Sequence, residues 1–172
     1  YFAADRLAKL LSIALIAVNQ VLGPQLAREF HAGRTDKVQR LMTMSSIMAG
    51  AIAIVGVVVF SIAGKFALTL FSDSYTSAYP VLIILALGQV VNSLCGPNTM
   101  LMNMAGLERS NTIIMSIIGI FSLVIIFFAA SLFGLIGAAI AAATTMAVRN
   151  GCVVWKCYKV LKIFPIKLGK LT

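Results

Sequence analysis

The sequence predicts an all-α polytopic membrane protein, and three observations support that fold class. Of the 172 residues, 60% are hydrophobic and 11% charged, whereas soluble domains average about 45–50% apolar and about 25% charged residues. The mean hydropathy is +1.01, and long uncharged runs alternate with short breaks that collect Lys and Arg. This composition excludes a soluble globular domain and a disordered chain. The 3 Cys residues exclude a disulfide-stapled secreted domain.

Five runs are long enough to cross a membrane, which takes roughly 20 mostly apolar residues. They cover approximately residues 7–26, 41–64, 81–104, 112–130 and 135–155. A β-barrel is excluded because its strands are short and alternate in polarity. We therefore expect five transmembrane helices over 1–155 and a basic cytoplasmic tail over 156–172.

The basic residues predict the orientation, since Lys and Arg collect in cytoplasmic loops. Of the 14 Lys and Arg residues, all but Arg6, Lys9 and Lys65 fall in the breaks at 28–40 and 105–111 or in the tail, to which Arg149 is assigned. We expect the end at Tyr1 to lie outside and the C-terminus inside. The tail is predicted either to contact anionic inner-leaflet lipids or only to fix the topology. The start at Tyr1 without Met predicts a fragment of a longer protein.

Run one carries ionisable residues at its outer end. Arg6 and Lys9 are three residues apart and share a helix face, with Gln20 near the same face further along. This pair is predicted to bind a phosphate or another anion, unless both side chains reach the outer headgroups or Asp5 neutralises one of them. Runs two to five are expected to hold no ionisable residue in their interiors.

Run three has the clearest polar pattern. Its polar or small residues follow spacings of 3, 4, 3 and 4, which place them on one helix face, with Ser93 beside them: Gln89, Asn92, Gly96, Thr99 and Asn103. Such a face avoids lipid. It is predicted either to line a polar, sugar-compatible cavity or to hold helices together, and we favour the cavity wall for the stripe as a whole. Gly96 and Pro97 predict a kink in this helix.

The sequence indicates neither an enzyme nor a metalloprotein. His31 is the single His and has no Cys or His at metal-ligand spacing. The chain has no Gly-rich phosphate loop and no Ser/His/Asp set. We therefore expect no cofactor, no metal and no nucleic-acid partner. Small residues four apart, from Gly134 to Ala142, predict close helix packing.

Six short motifs follow one another along nearly the whole chain. They are Tyr1-x-x-Ala4-x-Arg6-Leu7, Leu70-Phe71-Ser72-x-x-Tyr75-x-x-Ala78, Leu85-x-x-Gly88, Leu101-Met102-x-x-Ala105-Gly106, Gly134-x-x-Gly137-Ala138-Ala139-Ile140-Ala141 and Lys162-Ile163-Phe164-Pro165. In this order they resemble the polysaccharide biosynthesis protein family, the O-antigen and teichoic-acid exporters of the MATE-like (multidrug/oligosaccharidyl-lipid/polysaccharide) flippase superfamily. Ser72 departs from the usual Gly, and Lys9 has no counterpart in the motif.

The resemblance implies that the five helices form most of the C-terminal lobe of a two-lobed transporter, whose N-terminal lobe would be a partner. It implies alternating-access transport of an undecaprenyl-pyrophosphate-linked oligosaccharide across the bacterial cytoplasmic membrane, for the synthesis of surface polysaccharides such as lipopolysaccharide. Arg6 matches a motif position of a cavity arginine suited to the pyrophosphate. The alternatives are a cation-coupled multidrug exporter of the same superfamily and a structural membrane subunit without substrate.

Overall fold

The computed structural model describes residues 2–69 and 78–165. The side chains at positions 2–4, 10–12, 14, 15, 65, 67 and 69 are outside the description, as are the motif residue Ser72 and the tail from residue 166. Every regular element in the two described ranges is helical: α1 (Phe2–His31), α2 (Thr35–Thr69), α3 (Tyr79–Leu94), α4 (Asn98–Met104) and α5 (Glu108–Leu161). The all-α class is therefore confirmed for these residues.

Three of the described stretches are long and apolar enough to cross a membrane. They are Thr35–Gly64, Tyr79–Met104 and Glu108–Leu161. Large apolar side chains cover their outer surfaces, such as Ile62, Phe127 and Leu132. Contiguous exposed apolar surface of this kind is unfavourable in water. These are the helices of a membrane protein.

Helix α5 contains both of the last two predicted runs. Its 54 residues would extend about 80 Å if straight, far beyond the roughly 30 Å of a bilayer core. Gly134 interrupts it with φ 62° and ψ −149°, a backbone conformation that is essentially restricted to glycine. The first half (108–133) and the second half (135–161) are antiparallel, because Ile118 and Val148 line the same groove. Gly137 leaves room for the carbonyl oxygen of Ala129 across the turn.

Two buried apolar clusters lie at opposite ends of the helix bundle. The cluster at the Gly134 end contains Ala8, Leu68, Ala78, Leu85 and Ala139. The cluster at the Gly33 end contains Leu26, Val38, Met42, Leu101 and Ile163. Helices α1, α3 and the second half of α5 therefore run in one direction, and α2 runs in the other. Ala138, Ala139 and Ala141 are buried, as the small-residue spacing predicts.

The basic break at 28–40 forms a network of ion pairs at the Gly33 end. There the Glu29 carboxylate, 5% exposed, accepts a hydrogen bond from Arg34 and lies 3.4 Å from Arg28 and 3.9 Å from Lys37. The Arg34 hydrogen bond is the main cause of a lowered pKa for Glu29, and the nearby positive charges add to it. This network neutralises the carboxylate beside the turn at Gly33.

The segment after α5 is fastened to the start of α2. The Phe164 amide donates to Gln39 Oε1 at 3.0 Å, and the Gln39 side chain donates back to the Phe164 carbonyl. Ile163 is buried beside Val38. These contacts close the Gly33 end of the bundle.

Candidate functional site: a polar groove at the α3–α4 break

The break between α3 and α4 is formed by Cys95, Gly96 and Pro97. Gly96 has φ +63°, and a Cβ atom there would collide with the Ser46 hydroxyl of α2. Pro97 has no N–H with which to continue the α3 hydrogen bonds. The interruption lies where the sequence predicts a kink. It divides the polar stripe between two helices, so the single continuous helix face expected from the spacing is not present.

A groove of about 630 Å³ opens at this break. Helices α3 and α4 contribute several of the residues predicted from the stripe, α1 contributes Asn19, and the second half of α5 contributes two polar residues. The lining consists of Asn19, Asn92, Gly96, Pro97, Thr99, Met100, Asn103, Met104, Arg149 and Asn150. Residues that are far apart in sequence thus meet within the apolar helices.

Hydrogen bonds between amide side chains hold the groove wall in place. Asn150 Nδ2 donates to Asn92 Oδ1 at 2.9 Å, and Asn92 Nδ2 donates to Gln89 Oε1 at 3.4 Å. At the edge of the groove, Asn111 Nδ2 donates to Asn103 Oδ1 at 3.1 Å. Because each amide both donates and accepts, these pairs fix the side chains and leave their other polar atoms for a ligand.

Two of the predicted stripe residues lie behind the groove and do not line it. Gln89 is buried at the far end of the amide chain. Ser93 is also buried, and its Oγ has no hydrogen-bond partner in the described part of the chain. Asn98, the first residue of α4, is 2% exposed and donates to the Cys95 carbonyl across the break. Some polar residues at the break therefore line the groove, whereas Asn98 donates a hydrogen bond to the backbone.

Arg149 is the charged residue of the groove wall. It belongs to α5, which continues to Leu161, so it lies about three helical turns before the helix ends. Arg149 therefore lies within the helix and not in the segment after it, so its assignment to the tail is corrected. Its depth in the bilayer stays a prediction, and so does the expectation that runs two to five have no ionisable residue in their interiors. Its Nε is buried and has no hydrogen-bond partner within residues 2–69 and 78–165.

The cationic pair predicted in α1 lies elsewhere. Lys9 Nζ is 2.7 Å from Asp5 Oδ2, so Asp5 does neutralise one of the two cations. Arg6 is exposed near the start of α1, roughly 20 Å along the helix from Asn19. Gln20 is exposed and does not line the groove. The structure thus separates the Arg6 and Lys9 pair from the polar stripe.

Sequence reasoning missed Asn19, Arg149 and Asn150. An Arg inside an otherwise apolar run is itself a signal of a functional position, and Arg149 falls within the predicted run 135–155. Asn19 precedes Gln20 in the sequence and so lies next to the helix face predicted from Arg6, Lys9 and Gln20. Asn150 gave no signal of its own, because its importance comes from its contact with Asn92.

The described residues include no group of three His, Cys, Asp or Glu side chains placed to hold a metal ion. The polar part of the groove consists of amides, the Thr99 hydroxyl and the Arg149 guanidinium, which suits reversible binding of polar or anionic ligands. No protein-family model, no curated protein and no solved structure matches the chain.

Proposed function

We propose that the chain is part of a membrane transporter that moves a lipid-linked oligosaccharide, of the undecaprenyl-pyrophosphate type, across the bacterial cytoplasmic membrane. The observation that carries this proposal is the polar groove, which places amides, a hydroxyl and Arg149 inside otherwise apolar helices. Polar and ionisable residues at that depth are costly in a bilayer and are characteristic of substrate pathways. The sequence resemblance to oligosaccharide flippases supports the same function.

The groove has the hydrogen-bonding character that a sugar requires. A sugar hydroxyl donates and accepts, and so do the amides of Asn92, Asn103 and Asn150 and the Thr99 hydroxyl. Asn103 Nδ2 and Asn150 Oδ1 remain unbonded within the described residues, since the partner atoms of these amides make the wall contacts. A bound sugar can therefore replace water without disturbing the wall.

The proposed topology has five crossings: α1, α2, the α3–α4 pair and each half of α5. The Gly33 end faces the cytoplasm, because it carries Arg28, Arg34 and Lys37. Trp155 is 61% exposed near this end, with Lys159 Nζ 5.2 Å from its ring centroid. Aromatic and basic side chains together suit the headgroups of anionic inner-leaflet lipids.

In this proposal alternating access uses the break at Gly96. Helices interrupted at a substrate site are common in transporters, where one helix bundle rocks against the other around the bound ligand. In this proposal an N-terminal lobe of the same protein would form the opposite wall of the groove. Arg6 remains a second proposed contact for the pyrophosphate, at the outer end of α1.

Cysteine protection in the intact protein tests the proposal. In a variant in which Cys95, Cys152 and Cys157 are replaced by Ala, Thr99→Cys should react with a water-soluble thiol reagent, because Thr99 lines the groove. The lipid-linked oligosaccharide should slow that reaction. A control Ser131→Cys, on the exposed turn side of α5, should show no protection.

The alternatives give different results in the same assay. Protection of Thr99→Cys by a lipophilic drug cation and not by the oligosaccharide would identify a multidrug exporter. A thiol that never reacts would indicate that the stripe packs against a partner protein, as in a structural subunit. Either result would contradict oligosaccharide transport.

A further inference from the structure

Ile163 and Phe164, here called the latch, connect the end of α5 to the start of α2. Helix α2 packs along α1 and α3, whereas α5 packs along α3 and α4. At the Gly33 end, beyond the last residue of α3, a seam separates α1 and α2 from α4. The seam is filled by Leu26, Val38, Met42, Leu101 and Ile163. The latch therefore ties together the two sides of this seam.

The latch is held by one apolar anchor and one polar clamp. Ile163 is the anchor, since its side chain is buried in the seam. Gln39 is the clamp, because its one amide group accepts a hydrogen bond from the Phe164 amide at 3.0 Å and donates one to the Phe164 carbonyl. A single substitution at Gln39 therefore removes both hydrogen bonds.

The clamp can open without leaving a buried polar group unpaired. Gln39 is half-buried and Phe164 is exposed, so water can replace both hydrogen bonds at a small net cost. Gln39 Nε2 also lies 3.2 Å from the Thr43 hydroxyl, a partner that remains when Phe164 moves away. Lys162, where the chain leaves α5, has φ 58°, which is unfavourable for a residue with a Cβ atom. These features favour a contact that forms and breaks reversibly.

The seam borders the groove at the α3–α4 break, here called the amide groove. A small cavity between α1, α2 and α4 shares Asn19, Pro97 and Met100 with that groove. Leu26 belongs both to the cavity wall and to the seam. Ser45 also lines the cavity, is buried, and donates to Asn19 Oδ1 at 3.4 Å. Separation of α2 from α4 would therefore join the cavity to the groove and expose Ser45 to water.

We propose that the latch is a releasable strap that sets how far the amide groove extends between α2 and α4. With the latch bound, the seam is closed and Ser45 is shielded from water. With the latch released, α2 and α4 separate and the groove reaches Ser45. Helix α4 stays on α5, because Met102, Val153 and Cys157 form a separate buried cluster. The proposal concerns a motion of this chain and does not depend on which ligand the groove binds.

Thiol labelling of the intact protein tests the latch. Cys95 and Cys152 are replaced by Ala, and Ser45→Cys is introduced as the reporter of seam opening. The native Cys157 is kept as the reporter of unfolding, because its side chain is 0% exposed. A water-soluble maleimide labels the protein in detergent, and peptide mass spectrometry measures the rate at each thiol separately.

Two variants release the latch in different ways. Gln39→Leu removes the polar clamp, and Ile163→Ala removes the apolar anchor. Each should speed the labelling of Ser45→Cys about tenfold, because the seam opens more often when the contacts that close it are lost. The labelling rate of Cys157 should stay as slow as in the parent protein.

Matched controls carry the same substitutions outside the latch. Gln25→Leu changes an exposed Gln of α1, and Ile62→Ala changes an exposed Ile of α2. Both should leave the labelling rate of Ser45→Cys unchanged. If size-exclusion profiles show that Ile163→Ala does not fold, Gln39→Leu carries the test, since its position is only half-buried.

Two results would overturn the proposal. An unchanged labelling rate of Ser45→Cys in Gln39→Leu would show that the clamp does not hold the seam closed. Equal acceleration at Ser45→Cys and at Cys157 would show that the segment stabilises the whole bundle and is not a releasable strap.

Discussion

Lys9 and Arg149 are both cations in apolar helices, yet the structure places them in opposite circumstances. Lys9 lies near the start of α1 with its side chain 61% exposed, 2.7 Å from the Asp5 carboxylate. Arg149 lies several turns inside α5, lines the amide groove, and has a buried Nε without a partner in the described chain. The first charge is paired with a carboxylate, whereas the second is partly buried in the groove wall and its Nε has no hydrogen-bond partner among the described residues.

The difference shows which feature decides whether a cation can bind an anionic ligand. Its position in the folded helix and its distance from an acidic residue decide this, and its position in a charged stretch of sequence does not. Asp5 is four residues from Lys9, so the pair forms within one helix face. No acidic residue occupies the corresponding position near Arg149. A cation left unneutralised beside amide side chains is a better candidate for binding an anionic substrate than one already paired at a helix end.

The largest expected effect comes from comparing the two cations directly. In the intact protein, Arg149→Gln should lower oligosaccharide export about tenfold or more, because a charge-assisted contact to the substrate is lost. Lys9→Gln should change export less than about twofold, since its charge already pairs with Asp5. Surface glycan labelling measures export, and membrane fractionation controls for insertion. Equal losses of export in both variants would contradict the claim that Arg149, and not Lys9, contacts the substrate.

A second comparison concerns the groove wall. Gly96 and Gly106 have nearly the same positive φ, but only Gly96 faces a close neighbour, Ser46. Gly106→Ala should cost about 1 kcal/mol of unfolding free energy, from backbone strain alone. Gly96→Ala should cost about 2–3 kcal/mol, because a steric collision is added to that strain. Thermal unfolding in detergent measures both.

The Ser46 contact can be checked independently. Ser46→Gly should recover part of the loss in Gly96→Ala and none of the loss in Gly106→Ala. Similar costs for the two alanine variants would show that the close approach of α2 to the break is not what requires glycine there.

Glu29 is a carboxylate whose charge is neutralised by three nearby cations, in contrast to Arg149. Its pKa is lowered in the folded chain, chiefly by the Arg34 hydrogen bond. A lowered pKa stabilises the fold above the unfolded value of about 4.3, and that stabilisation is lost as the pH falls through the folded value. The melting temperature of the wild type should therefore fall more steeply below about pH 4.3 than the melting temperature of Glu29→Gln. Parallel curves for the two proteins would contradict the assignment.

The smallest effect is expected for the Asp5 and Lys9 pair. Asp5→Asn removes an exposed i,i+4 pair, which is typically worth less than about 0.5 kcal/mol. The melting temperature should be nearly unchanged. The same variant should leave export close to the wild-type level, whereas a marked loss would give the α1 pair a role that its exposed position does not suggest.

Much of the fold follows from composition and spacing. The helical class follows from long uncharged runs, and the break at Gly96 and Pro97 follows from residues that disfavour a continuous helix. The spacing predicted a kink and not two separate helices. The close approach of Ser46 in α2 to Gly96 is a tertiary contact, which the spacing does not contain. The runs 112–130 and 135–155 already predict two crossings joined near Gly134, but the spacing did not show the unusual backbone conformation of that glycine, which is a property of the folded chain.

The site was predicted in part. Asn92, Thr99 and Asn103 line one groove, although the break at Gly96 places them on two helices and not on the single helix face that the spacing predicts. Arg149 was assigned to the tail because its neighbours in sequence include Lys156 and Lys159, whereas its depth depends on how far α5 continues. Asn19 and Asn150 join the site only through packing of α1 and α5 on α3, which no local pattern contains.

Photocrosslinking from the groove tests the central claim most directly. A benzophenone side chain at Met104, which lines the amide groove, should label the lipid-linked oligosaccharide in the intact protein. The same group at Ile13, an exposed residue of α1, should not. Labelling from Met104 that excess substrate prevents, and that Arg149→Gln abolishes, is the predicted result. Equal labelling from both positions, or labelling from Met104 that is unaffected by Arg149→Gln, would contradict a substrate site at the α3–α4 break.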